Sequence, residues 1–265
     1  MGNLSNIGRI FYGIAIAEIG CQTIYFKDFP YFLLPLNHLS IPGFTVIVYL
    51  SGILFVLAGV CIVLKKITRP VALLLGVALL LIVCFYCIPY ELIVSSNYMH
   101  LGDWENAVKD LTLAGGALVI AGCFPEKSES PLIRLWGKLA PYGTILFSLT
   151  IIDYGISHFL YAKDVADYIP SWIPYHMFWM YFCGVALLGS AIAIILKINV
   201  RLFAVLLGTM IFIWFGSLHV PRMIVSPAAD MAGEIASACL ALAYSGIAFV
   251  IAGEAGNIHA VYQRI

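Results

Sequence analysis

Charge is what this chain has least of. Lys, Arg, Asp and Glu together make up 11% of its 265 residues, and fourteen cations balance fourteen anions to a net charge of zero. A nucleic-acid or anionic-surface partner would need a basic footprint, and there is none. Also missing are zinc-type Cys/His spacing, a glycine-rich phosphate loop and a catalytic serine motif. The first apolar segment, beginning near Gly8, has neither a basic n-region nor a small-residue cleavage site, so it reads as a retained helix rather than a leader. What remains is apolar: 62% of the residues are hydrophobic and the mean hydropathy is +0.99. A water-soluble fold of this size has no means of hiding so much apolar surface.

Apolar runs separated by polar or proline-containing breaks give eight candidate spans, roughly 8–26, 44–64, 70–90, 104–123, 140–161, 175–196, 201–220 and 231–252. At 1.5 Å per residue each crosses a hydrocarbon core about 30 Å thick. Lipid offers no hydrogen bonds to a backbone, and transmembrane strands would be near ten residues with alternating polarity, so the spans are helices. The expected fold is an all-α integral membrane protein with eight transmembrane helices and the bilayer as its first partner.

The two halves resemble each other. "LAGGALVIAG" (113–122) aligns with "YSGIAFVIAG" (244–253), "SIPGFTVIVYLSG" (40–52) with "WIPYHMFWMYFCG" (172–184), and "AEIG" (17–20) with "IDYG" (152–155). Gly76 and Pro89 are spaced as Gly208 and Pro221 are. The expectation is a duplicated unit: a first four-helix repeat over 1–123, a linker over 124–139 and a second four-helix repeat over 140–265. Four is an even number, so the repeats insert in the same orientation, as two parallel-topology four-helix bundles. Ten basic residues (Arg9, Lys65, Lys66, Arg69, Lys127, Arg134, Lys138, Lys197, Arg201, Arg264) fall at one set of helix ends and four (Lys27, Lys109, Lys163, Arg222) at the other. By the positive-inside rule both termini face the cytoplasm, and the loops around 27–43, 91–103, 162–174 and 221–230 face outward.

Polar residues concentrate at the outer end of the second repeat. His158 is near the end of the fifth span, His176 at the start of the sixth, His219 at the end of the seventh and Glu234 at the start of the eighth. His176, Trp179 and Cys183 recur at i, i+3 and i+7 and so share a helix face. Asp153 lies about 7 Å deeper than His158, and a carboxylate inside a span, like Glu18 in the first helix, usually faces a cavity or a partner. One interfacial histidine is an anchor at headgroup level. Three from three helices beside a carboxylate and Arg222 point to a pocket, with His158, His176, His219 and Asp153 as candidate catalytic groups and Trp179, Arg222 and Glu234 as binding groups. The matching first-half positions hold Thr23, Phe44 and Cys87. There "CFYC" (84–87) sets Cys84 and Cys87 as a C-x-x-C, a spacing that can cycle between dithiol and disulfide or pack as ordinary apolar core.

The stretches "GISHF" (155–159), "IPSWIPYHMFWMYFCGVALLGSAIAI" (169–194), "RLFAVLLG" (201–208), "LHVPR" (218–222) and "ALAYSGIAFVIAG" (241–253) resemble the DoxX-like membrane protein superfamily, with "WENAVKDLTLAGGALVIAG" (104–122) a weaker match. The resemblance implies compact four-helix bundles, here fused in tandem, and an association with quinone-coupled oxidation and thiol homeostasis. It implies a bacterial inner membrane and a membrane redox partner subunit, and supplies no settled catalytic residue. The leading expectation is a redox-associated protein whose outward pocket binds a quinone. The alternatives are a non-catalytic lipid-binding or assembly subunit, and a haem or metal protein using the same histidines.

Overall fold

The computed structural model describes residues 2–34, 43–95, 104–124 and 130–262, with side chains as far as 255. Lys127, Arg264, the middle of the expected linker and much of the expected loops at 27–43 and 91–103 lie outside these residues. Every regular element among those described is helical. The helices are α1 (Asn3–Phe26), α2 (Phe44–Leu64), α3 (Thr68–Ile82), α4 (Glu105–Gly122), α5 (Pro131–Gly137), α6 (Gly143–Leu160), α7 (Ala162–Asp167), α8 (His176–Ile195), α9 (Val200–Trp214), α10 (Val220–Val225) and α11 (Met231–Tyr262).

Six segments are long and apolar enough to cross a membrane: Phe44–Leu64, Thr68–Val94, Pro131–Leu160, His176–Ile195, Val200–Val225 and Met231–Ala255. The other two expected spans fall on α1 and α4. α4 carries Glu105, Lys109 and Asp110, and α1 carries Arg9 and Glu18. Neighbours shield α4 and one face of α1, where Arg9 is buried, while Glu18 lies on the exposed face of α1. α4 is buried almost continuously from Thr112 to Ala121, between α3, α6 and α11, and α1 packs between α2 and α11. A helix walled by other helices does not need a lipid-compatible surface all round.

Contacts at the helix ends fix an antiparallel alternation. At the end holding both termini, Ser5 bonds Glu254 at 2.9 Å, Arg9 donates to the carbonyls of Ile62 and Val63, and Arg69 donates to that of Ala121 at 2.8 Å. The arginines thus meet the last carbonyls of α2 and α4, where a helix has unpaired acceptors and negative dipole. At the opposite end Gln22 donates to the Ala232 carbonyl at 2.5 Å, joining the end of α1 to the start of α11.

The helices pair across the halves, unlike two self-contained bundles. α1 packs most extensively on α11 and α4 packs on α6, while α4 and α11 meet at the centre. Glycines dictate these seams. A Cβ on Gly8 would sit 2.3 Å from the Gly246 carbonyl oxygen, and one on Gly143 would sit 2.6 Å from that of Gly115. Under the alignment above, Gly8 matches Gly143 and Gly246 matches Gly115, so one close contact is made twice. Tyr12, fully buried on α1, adds a bond from its hydroxyl to the Leu113 carbonyl of α4 at 2.7 Å.

Local backbone repeats as well. α3 and α9 both run into a π turn, Val83–Cys87 and Phe215–His219, at matching places. The turn before each helix carries two left-handed residues, Lys65 and Ile67 in the first half, Lys197 and Asn199 in the second. A β-branched residue such as Ile67 at φ 43° is sterically costly. Its counterpart Asn199 at 41° is a residue type that tolerates this region.

Candidate functional site

A cavity of about 450 Å³, walled mainly by the second half, lies at the end of the bundle opposite the termini. Helical periodicity builds its walls. Ile151, Tyr154 and His158 recur at i, i+3 and i+7 on α6, and Trp179, Met180, Cys183 and Leu187 form one stripe of α8. α11 contributes Glu234, Ser237, Ala241 and Tyr244, and the segment from Val165 to Ile169 closes the top. The fourth wall depends on the π turn. Its wider winding carries the chain from Trp214 to Leu218, His219 and then Arg222 of α10, all of which line the space. Single π turns inserted in helices are frequent at functional sites.

The polar groups are few and mostly engaged. His158 Nδ1 lies 2.8 Å from the carbonyl oxygen of Tyr154, one turn back on its own helix. His219 Nδ1 is buried and has no hydrogen-bond partner among the described residues. Arg222 holds Glu234 through two nitrogens, Nε to Oε2 at 3.0 Å and the second to Oε1, and its guanidinium stacks 4.5 Å from the Tyr168 ring centre. The Tyr154 and Tyr244 hydroxyls meet at 3.3 Å, and the Trp214 indole N–H donates to Cys183 Sγ at 3.0 Å. Trp179 and Trp214 pack edge to face with ring centres 6.4 Å apart.

A second, more open basin of about 680 Å³ lies beside the cavity, between Arg222 and the 225–230 segment. Tyr168, Arg222, Glu234 and Ser237 line both spaces. The Arg222–Glu234 pair is therefore part of the wall between an open polar basin and an aromatic interior. Arg222, expected as an anion holder, has its anion within the protein.

Of the expected pocket residues, His158, His219, Trp179, Arg222 and Glu234 line one cavity, and His176 and Asp153 do not. His176 is the first residue of α8 and turns its Nε2 to the Pro170 carbonyl at 3.2 Å. It lies one turn before Trp179, at the very start of α8, and its ring turns back to the segment that leads into the helix. Asp153 fails for an angular reason. At 3.6 residues per turn, five residues carry it about 140° round α6 from His158, so depth alone does not bring it beneath that ring. Its Oδ2 is buried without a hydrogen-bond partner among the described residues.

Cys84 and Cys87 are both free, Cys84 exposed and Cys87 buried. The Cys87 thiol meets Asp110 Oδ2 at 3.6 Å. The C-x-x-C therefore presents its two sulfurs to different surroundings. Thr23, fully buried, turns its hydroxyl back to the Ile19 carbonyl at 2.8 Å, and Phe44 packs against Phe29 with ring centres 6.0 Å apart. The first-half region is more packed than apolar, since Asp110, Gln22 and Glu91 are also buried there.

The sequence reading missed Glu105, Lys109, Tyr154, Tyr244 and Trp214 as cavity residues. Tyr154 stands four residues before His158, a visible signal. Trp214 is five residues before His219, a spacing that looks wrong until the π turn is known. Glu105 and Lys109, an ion pair at 3.1 Å, come from α4 of the first half, so the site is not the property of one repeat. Comparison of the chain with protein-family profiles, with curated proteins and with solved structures gave no match.

Proposed function

We propose that this protein binds a flat, mainly apolar molecule with oxygen substituents, of the quinone class, in the second-half cavity. The observation that carries the reading is the wall composition. Two tryptophans and three tyrosines form broad apolar faces, and among the described residues His158 and His219 each offer a ring nitrogen that can accept and has no protein partner. Small-molecule sites have this makeup, an apolar lining with a few placed polar groups. We further propose that α1 and α4 also cross the bilayer, giving eight spans. The cavity then opens on the extracytoplasmic side, as the basic residues at the termini end favour. The DoxX-like motifs add a redox association, in which a partner subunit would exchange electrons with the bound molecule. Among the described residues no group of three His, Cys, Asp or Glu side chains is placed to hold a metal ion, and the proposal uses none.

The test is tryptophan fluorescence of the full chain in lipid nanodiscs, titrated with a short-chain ubiquinone analogue. A bound quinone quenches nearby indoles, so saturable quenching is expected, reduced in Trp179→Phe and Trp214→Phe. Ala241→Phe, which fills the cavity, should abolish the saturable part. Quenching that never saturates, or that survives Ala241→Phe unchanged, would remove this reading. An absorption band typical of haem in the purified protein would replace it with the haem alternative.

A further inference from the structure

We infer that the cavity is selective for a ligand that donates a hydrogen bond, a hydroquinone or other phenol-class headgroup, over the oxidised quinone; this rests on the binding reading above. The decisive atom is His158 Nε2. Nδ1 of the same ring is 2.8 Å from the Tyr154 carbonyl oxygen, and a carbonyl oxygen can only accept. Nδ1 therefore carries the ring proton. In the neutral imidazole the other nitrogen is then a lone-pair acceptor. The backbone bond also holds the ring in place, because the acceptor belongs to the preceding turn of α6.

His158 lines the cavity, and no protein group hydrogen-bonds its Nε2 among the described residues. A phenolic O–H satisfies that nitrogen. A quinone carbonyl cannot, since two acceptors would face each other and Nε2 would lose its solvent without gaining a donor. The remaining polar groups do not reverse the preference. The Glu234 carboxylate is taken by Arg222 and the Glu105 carboxylate by Lys109. The Tyr154 and Tyr244 hydroxyls engage each other, that of Tyr244 also engages Thr112, and a hydroxyl serves donors and acceptors alike. His219 has no protein bond to fix its proton on either nitrogen, so it serves donors and acceptors alike. His158 Nε2 is thus the one cavity nitrogen fixed as an acceptor; the N–H groups of Trp179, Trp214, Lys109 and Arg222 only donate, and a phenolic oxygen accepts from them as a carbonyl does.

The experiment compares three forms of one ring system on the full chain in nanodiscs by anaerobic calorimetry. They are the short-chain ubiquinone analogue, its reduced hydroquinone, and the dimethyl ether of that hydroquinone. The work is done near pH 8, above the ordinary imidazole value of about 6.5. One hydrogen bond gained against one acceptor left unmet corresponds to roughly tenfold tighter binding of the hydroquinone. The ether, which lacks the O–H, should bind like the quinone, and His158→Phe should bring the hydroquinone down to the quinone's affinity. The ether comparison needs no substitution, so a misfolded variant cannot mask the answer. Equal affinities, or tighter quinone, with all forms binding saturably would overturn the donor preference and leave the binding reading in place. No saturable binding of any form would overturn both.

Discussion

The ends of the two halves opposite the termini share a backbone feature and differ in their interiors. Both carry a π turn at the same place, Val83–Cys87 and Phe215–His219. Where the second half has His219 and Ala241, the alignment puts Cys87 and Asp110 in the first. Cys87 and Asp110 fill their space and meet each other at 3.6 Å. Ala241 is too small to fill the same place, and His219 faces an open cavity. The π turn and the helix seams are thus common to both halves, and the cavity described above lies where small and aromatic side chains replace packed polar ones. Site and scaffold are separable in this fold.

The largest effect should come from the shared scaffold. Gly8→Val and Gly143→Val place a branched side chain where even a Cβ would lie 2.3 Å and 2.6 Å from a backbone oxygen across the seam. Backbone cannot yield as a side-chain tip does, so each should cost about 3 kcal/mol or more. Loss of monodisperse protein on size-exclusion chromatography reads it. If one substitution is tolerated and the other is not, the two seams are not equivalent. Next, Ala241→Asp copies the first-half residue into the second. It should occupy the space beside His219 and weaken quinone-analogue binding roughly tenfold or more, by loss of apolar volume and burial of a polar group. Unchanged affinity would mean that the ligand sits elsewhere.

A smaller difference separates Arg222 from its first-half counterpart, Tyr90. Tyr90 stacks on Tyr86 with ring centres 6.0 Å apart, whereas Arg222 is held by Glu234 and Tyr168. Glu234→Gln keeps the shape and removes the charge. The pair is partly exposed, so the expected loss is about 1 kcal/mol, read as a drop in thermal midpoint that shrinks as salt is raised. A drop independent of salt would show that the pair is shielded from solvent and acts through its direct hydrogen bonds rather than a screened surface charge.

Much of this was legible in the sequence, and the illegible part has a physical pattern. Apolar runs located the helices because lipid and helix length act on local composition. The alignment of "LAGGALVIAG" with "YSGIAFVIAG" placed Gly115 over Gly246, the residues that form the two seams. What it did not reveal was the partner of each seam, since α1 meeting α11 is a fact of tertiary packing. For the same reason Glu105 and Lys109 were invisible as cavity residues. Asp153 was misplaced because depth along a helix was weighed without the angle round it. Trp214 was passed over because a π turn shifts the register and leaves no mark in composition.

The smallest effect concerns the thiols, and it bears on whether the first half has chemistry of its own. Cys84 is exposed and Cys87 buried against Asp110, while Cys183 in the second half is buried and accepts the Trp214 N–H. A lipid-soluble maleimide should therefore label Cys84 readily, and Cys87 and Cys183 only after denaturation, as mass mapping of the labelled peptides would report. Cys84→Ser should leave the thermal midpoint within about 0.5 kcal/mol of the original, as surface substitutions do. Cys87→Ser should cost more, about 1 kcal/mol, because the 3.6 Å gap that suits sulfur is beyond the reach of a hydroxyl. The two buried thiols then serve as packing elements in both halves, one donating and one accepting. A Cys84–Cys87 disulfide formed by mild oxidant in the folded protein would reverse that conclusion. It would require the π turn to swing one sulfur across the helix, and the first half would then hold a redox pair where the second holds a ligand cavity.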